Sequence, residues 1–272
     1  MCRLLGYCAR RPASLAGLIG DQGLREFTAL SSFHSDGWGM AWADGGPIEV
    51  HKSPLQASED PAYGELAGRP LGRQGMLHLR QATPGLPVEA VNTHPFLAGG
   101  VAMAHNGAIH PQDRLPELLP AGWEERMTGS TDSERYFLYI LSCLRAGADM
   151  VTAVGETAAA VNARFDASSL NAVLLTEDAL YAVSCHDRSK IPEARMRARG
   201  FTGSAEQLAK HFDLRYRETA DAVVVASSGW PQDSLDGWAP VPNGHVLVVE
   251  GDTLATRIEP LPIPVSPQPA SY

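Results

Sequence analysis

Short apolar runs separated by clusters of turn-forming residues make up most of this chain, and few segments look like linkers. In GMAWADGGPIEVHK, residues 39–52, the residues DGG stand between two such runs, which predicts a β-hairpin. MLHLRQAT and VAMAHNGAI read as strands whose polar ends would carry side chains to a site. AVLLTEDALYAVS, DAVVVASS and HVLVVEGDTLATRIEPL predict further strands, two of these stretches closing on themselves through the turns TEDA and EGDT. SERYFLYILSCL behaves differently, with apolar residues at 136, 137, 140, 141 and 144 in helical spacing. Thr131 and Glu134 have the spacing of a capping box, so a helix should start near Asp132. Residues 151–165 and 203–212 are the helical segments expected in the second half.

Strands that close through hairpins, with helices between them rather than in strict alternation, predict an α+β fold with mainly antiparallel sheets. No fixed-period repeat interrupts this pattern, and residues 1–260 read as one domain. The remaining residues, 261–272, belong to a proline-rich tail, since PLPIPVSPQPASY holds five prolines in thirteen residues. Such a composition favours extended chain over the surface.

Composition narrows the function classes. Hydrophobic residues make up 44% and charged residues 19% of the 272 positions, an ordinary globular balance with ample material for a core. The net charge of −9 lacks the positive field that binding to phosphate backbones requires, so nucleic acid is not an expected partner. The densest basic run, DRSKIPEARMRARG at 187–200, reads as a solvated helix face or loop. Cys2, Cys8, Cys143 and Cys185 show no framework spacing and read as free thiols in a reducing compartment. LAGLI is too short for a signal-peptide core and no apolar run is long enough to cross a membrane, which predicts a cytoplasmic protein with no membrane partner.

Four stretches concentrate reactive and turn-forming residues: MCRLLGY at the start, HSDGWGMAW at 34–42, HLRQATPG with NTHPF between 78 and 96, and MAHNGAI followed by GSTDSE. Removal of Met1 would leave Cys2 with a thiol and a free α-amine on one carbon. The reference pKa values of an α-amine, about 7.7 to 8.0, and of a thiol, about 8.5, make proton transfer between two such groups nearly balanced. Cys8, six residues on in a predicted strand, reads as small core filler.

Taken in order, Cys2, HSDGWG, HLRQAT, HNG and TDSE resemble the class II glutamine amidotransferases of the N-terminal-nucleophile hydrolase superfamily. The resemblance extends through VVVASSGW and APVPNGHVLVVEGD, and is strongest to the stand-alone branch that begins MCRLLG, which includes the γ-glutamyl hydrolase of the ergothioneine pathway. It implies a four-layer αββα sandwich of two antiparallel sheets. It also implies an amidohydrolase that cleaves glutamine or a γ-glutamyl amide through a glutamyl thioester, without cofactor or metal.

By the same resemblance Cys2 is the nucleophile, and the Asn106 amide and Gly107 N–H form the oxyanion hole. Arg80 with Thr83 would hold the α-carboxylate, and Asp132 the α-ammonium. Asp36, Gly37, Trp38 and Gly39 would belong to the pocket wall. Gln81 and Pro84 stand where the sugar-phosphate-forming members carry tryptophan and histidine, so the γ-glutamyl head group is better specified than glutamine itself.

Three other readings compete. A metal-dependent hydrolase would draw on His78, His94, His105, His110 and Asp132, but their spacing matches no zinc signature. Cys185, His186 and Asp187 adjoin in sequence, whereas a triad is assembled from spatial neighbours and consecutive strand residues face opposite ways. A glutaminase subunit passing ammonia to a synthase partner, or a non-catalytic partner protein, would share the fold. For the non-catalytic version, retaining all of Cys2, Arg80, Asn106, Gly107 and Asp132 has no chemical reason.

Overall fold

The computed structural model describes residues 2–262. In chain order the elements are β1 (Arg3–Ala13), α1 (Leu15–Ala29), β2 (Trp38–Ala43), β3 (Glu49–Ser53), α2 (Pro61–Gly68), β4 (Gly72–Leu79), β5 (Phe96–Ala98), β6 (Val101–His110), α3 (Asp132–Arg145) and α4 (Met150–Arg164). There follow β7 (Asp166–Leu175), β8 (Ala179–Ser184), α5 (Glu193–Ala198), α6 (Ala205–Ala209), β9 (Leu214–Glu218), β10 (Ala222–Ser227), β11 (Trp238–Pro240), β12 (His245–Glu250) and β13 (Thr256–Pro260). One sheet runs β11-β9-β10-β1-β4-β2-β3 and the other β13-β12-β8-β7-β6-β5. The pairings within both sheets are antiparallel.

Strand alternation builds four layers. On β1, Leu5 and Tyr7 pack outward with Leu15, Leu18 and Phe27 of α1 and Tyr63 of α2. Leu4 and Cys8, on the opposite face, meet Ala102 and Ala104 of β6 and Val173 of β7 in a core between the sheets. The outer face of the second sheet, with Met103, Leu170 and Leu174, packs against Tyr136, Phe137 and Ile140 of α3 and Val154 and Val161 of α4. The sequence therefore produces the αββα layering expected of it, and Cys8 is buried filler between the sheets. Truncating a fully buried leucine such as Leu4 to alanine would cost about 2–5 kcal/mol.

The predicted hairpins at 39–52, TEDA and EGDT are all formed. Helix α3 starts at Asp132 with Thr131 Oγ1 accepting from Glu134 N, but the capping box is only half made. The Glu134 carboxylate instead accepts from Thr128 N, Thr128 Oγ1 and Gly129 N, because the preceding loop folds back over the first turn. Helix α1 was not apparent from the pattern. Its apolar positions Leu15, Leu18, Ile19 and Phe27 have helical spacing, but three glycines dilute them and Gly20 breaks the helix at φ 76°.

Leu261 is buried in the α3–α4 core and Pro262 lies against Gly155, so the first two residues assigned to the tail pack onto the domain. The rest of the tail lies outside the described residues. Among the described residues no helix is long and apolar enough to cross a membrane.

Candidate active site

The same alternation that builds the inter-sheet core delivers the site. Leu4 and Cys8 point inward on β1, and stepping back two residues from Leu4 brings Cys2 to the same face, where it is buried. On β6, Ala102 and Ala104 point inward, so Asn106 does too. On β4, Met76 points inward, and His78 and Arg80 follow at the same spacing. Three strands from two sheets thus converge where the inter-sheet layer ends.

There, Cys2 N donates to Asn106 Oδ1 at 2.7 Å. Gln81 N lies 3.3 Å from Cys2 Sγ and points a backbone donor at the sulfur, while Gln81 O lies 3.6 Å away as an acceptor for the thiol. Asn106 Nδ2 is buried and has no hydrogen-bond partner among the described residues. The Asn106 backbone is held in turn, its carbonyl accepting from Ser169 Oγ at 2.7 Å. At Gly107 an added Cβ would lie 1.9 Å from Ser169 O, so no side chain fits where β6 passes this close to β7.

Asp36 has a specific structural part that its motif did not reveal. Its Oδ2 accepts from Ala82 N at 2.8 Å, its N–H donates to Arg80 O, and Arg80 N donates to Gly37 O. The SDG segment thereby continues the sheet beside Arg80–Ala82 and fixes the Gln81 backbone under the sulfur. At Gly39 a Cβ would meet His94 O at 2.2 Å, a close backbone approach.

Trp38 does not face the cleft, contrary to the expectation of a pocket wall. It is fully buried in the outer core beside Tyr63, stacks on His51, and donates from Nε1 to Asp60 Oδ2 at 2.9 Å. It shares the outward parity of Met40, and that parity decides its face.

Arg80 is buried, and its guanidinium donates to Asp36 O at 3.3 Å and Pro87 O at 3.1 Å. Burial pulls its pKa down, opposed by the charges of Cys2, Asp36 and Asp132. Asp132 is also buried, with Oδ2 accepting from Ile109 N at 2.7 Å. The residue after it, Ser133, bonds His105 Nδ1 at 2.9 Å, and His105 Nε2 meets Ser169 O at 3.2 Å. A carbonyl only accepts, so Nε2 carries the proton and Nδ1 accepts from the serine hydroxyl. This bond ties the start of α3 to β6 and β7, and with it the position of Asp132.

The other candidates separate. His78 is held near pKa 3 by burial and the charge of Arg80, with Nε2 donating to His105 O. His94 packs against His78 with ring centres 4.3 Å apart and planes tilted by 52°, and is held neutral by burial. Among the described residues no group of three or more histidine, cysteine or acidic side chains is arranged to hold a metal ion. Burial pushes Cys185 up to about 12, and its neighbour His186 turns toward Asp213, 3.7 Å away, rather than toward the thiol.

Sequence reasoning missed Arg195 and Arg199. They come from the basic run read as a solvated face, yet with Gln81, Thr83 and Gly107 they line a cleft beside the thiol. Arg195 Nη2 donates to Ala82 O at 3.0 Å across 113 residues of chain. Their four-residue spacing on a helical segment was the available signal.

A family model described as class-II glutamine amidotransferases matches residues 1–269. The γ-glutamyl-hercynylcysteine sulfoxide hydrolase of Mycobacterium tuberculosis is 29% identical over 92% of this chain and 93% of its own. A glutamine aminotransferase class-II domain protein from Silicibacter pomeroyi superposes with a TM-score of 0.62 at 19% identity, over 96% of this chain and all of the other. The glutamine phosphoribosylpyrophosphate amidotransferase of B. subtilis does so at 0.63 and 17% identity, over 97% of this chain and 50% of that one.

Proposed function

Because the chain belongs to the class II glutamine amidotransferases, and so is an amidohydrolase for glutamine or a γ-glutamyl amide, we propose that Cys2 is its nucleophile once Met1 is removed. Met1 itself lies outside the described residues. The observation that carries this reading is the pair of roles open to Asn106: Oδ1 receives Cys2 N at 2.7 Å, while buried Nδ2 is left without a partner among the described residues.

The freed α-amine takes the thiol proton, oriented by Asn106 Oδ1. The thiolate, facing the N–H of Gln81, attacks the γ-carbonyl and forms the S–C bond. The carbonyl oxygen becomes an oxyanion that Asn106 Nδ2 and Gly107 N–H receive, one such donor being worth about a hundredfold to a thousandfold in rate. Collapse breaks the C–N bond, the α-ammonium returns its proton to the leaving amine, and a glutamyl thioester remains. Water then attacks the thioester, releasing glutamate and restoring the thiol.

In this reading Arg80 and Asp132 hold the α-carboxylate and α-ammonium of the glutamyl group, while Thr83, expected to assist Arg80, is instead given to the leaving-amine side because it lines the cleft with Gln81 and Gly107. The hydrolase of M. tuberculosis, by its name, acts on a γ-glutamyl compound rather than free glutamine, and its near full-length match favours that substrate class here. Glutamate release from γ-glutamyl compounds by the protein and its Cys2→Ala variant tests the proposal. Abolished release is expected, and unchanged turnover would remove Cys2 from the chemistry. Intact mass should show that Met1 is gone, and full activity in protein that retains it would exclude the α-amine as base.

A further inference from the structure

The cleft that begins at Gln81, Thr83 and Gly107 is narrow, with about 30 Å³ of space inside it before it opens to solvent, and neither Arg80 nor Asp132 lines it. The cleft wall and the groups assigned to the glutamyl half meet at Asp36, whose carbonyl accepts from Arg80 and whose Oδ2 lies 3.9 Å from Arg199. The far wall of the cleft carries Arg195 and Arg199 among the apolar side chains of Met196, Phe201 and Phe212.

Two arginines four residues apart on one helical face repel each other. Arg195 Nε is buried with no partner among the described residues, although its Nη2 is anchored on Ala82 O. Arg199 has only a 3.9 Å approach to Asp36 Oδ2, and that same oxygen already accepts from Ala82 N. By contrast Arg197, on the opposite side of the helix, is satisfied by Glu193 at 3.5 Å and Gly203 O at 3.0 Å. A glutamyl group brings one carboxylate and one ammonium, for Arg80 and Asp132. With Asp36 set against Arg199, Arg195 has no ion-pair partner among the described residues.

We propose that this cleft binds the leaving half of the substrate and selects an amine that carries its own carboxylate, as an apolar α-amino acid or short peptide does. The inference rests on the γ-glutamyl reading above. Arg195 and Arg199 would take the carboxylate, which suits planar guanidinium donors, and Met196, Phe201 and Phe212 would cover the apolar body. Ammonia, the leaving group of glutamine, would leave the arginines unused.

The test compares γ-glutamyl-leucine with γ-glutamyl-leucinamide, which differ only in the terminal charge, by kcat/KM for glutamate release. The wild type is expected to favour the acid at least about tenfold, roughly the 1.4 kcal/mol that separates one decade. Arg199→Met should bring the ratio towards one and Arg199→Glu should reverse it. The Arg199 side chain makes no hydrogen bond among the described residues, so these variants separate specificity from misfolding; Arg195→Met with Arg195→Lys as the conservative partner repeats the comparison at the anchored residue. Equal turnover of acid and amide by the wild type would overturn the proposal. So would an equal loss on both substrates in the arginine variants, which would place these residues on the glutamyl half. Release of glutamate from neither compound nor from glutamine would instead sink the underlying reaction, and the inference with it.

Discussion

Replacing Asn106 by alanine tests two consequences of one side chain. The change removes Oδ1, so Cys2 N loses its 2.7 Å acceptor in a buried place, and it removes Nδ2, which has no partner among the described residues and is proposed to receive the oxyanion. An unsatisfied buried donor costs about 1–3 kcal/mol of stability. At about 2–4 °C per kcal/mol for domains of 150–250 residues, the variant should melt about 2–12 °C lower and stay folded at 25 °C. Loss of one oxyanion donor should lower kcat about a hundredfold to a thousandfold, equivalent to about 2.7–4 kcal/mol of transition-state stabilisation. Misplacing the base can only add to that. KM should change little, since Arg80 and Asp132 are untouched. Steady-state glutamate release, with a thermal melt and near-UV circular dichroism on the same sample, separates the two effects. A folded Asn106→Ala protein with kcat within about fivefold of wild type would refute the assignment of Nδ2.

Three further outcomes are expected. A glutamine-derived diazo-ketone should label Cys2 and spare the other thiols, since burial raises Cys143 and pushes Cys8 and Cys185 up to about 12; peptide mapping that finds Cys143 or Cys185 modified would move the site. Gly107→Ala should destabilise the protein by about 1–3 kcal/mol or more, because its methyl would strike Ser169 O at 1.9 Å, and an unchanged denaturant midpoint would contradict that packing. Acid should weaken the fold before carboxylates titrate: His78, depressed to about 3, stays neutral when folded but binds a proton when unfolded below about pH 6.5. Its contribution is intact above pH 6.5 and is lost on the order of 1.4 kcal/mol per pH unit on the way down to about 3. Urea midpoints equal at pH 7.5 and 5.5 would argue against a buried neutral His78.

The antiparallel strands and the start of α3 could be read directly because each depends on local spacing, whereas the roles proposed for Cys2, Arg80, Asn106 and Asp132 came from the resemblance of their motifs to a family. Alternation along β1, β4 and β6 is a property of the strand itself, so positions two residues beyond an inward core residue were bound to share its face. Two local expectations did not survive intact. Glu134 left the capping box for Thr128 and Gly129, and Trp38 turned away from the cleft, because a motif does not say which face of its strand looks inward.

What the sequence by itself determined, then, is which residues of a strand share a face and where most of the candidate reactive groups stand along the chain. The tertiary structure alone decided that residues 193–199 return to Ala82, that Asp36 braces the Gln81 backbone, and that Arg195 and Arg199 line one cleft with Gln81, Thr83 and Gly107. Those contacts join segments tens to more than a hundred residues apart. They depend on how two twisted sheets and their loops pack, and side-chain periodicity along a single strand or helix carries no record of that distance.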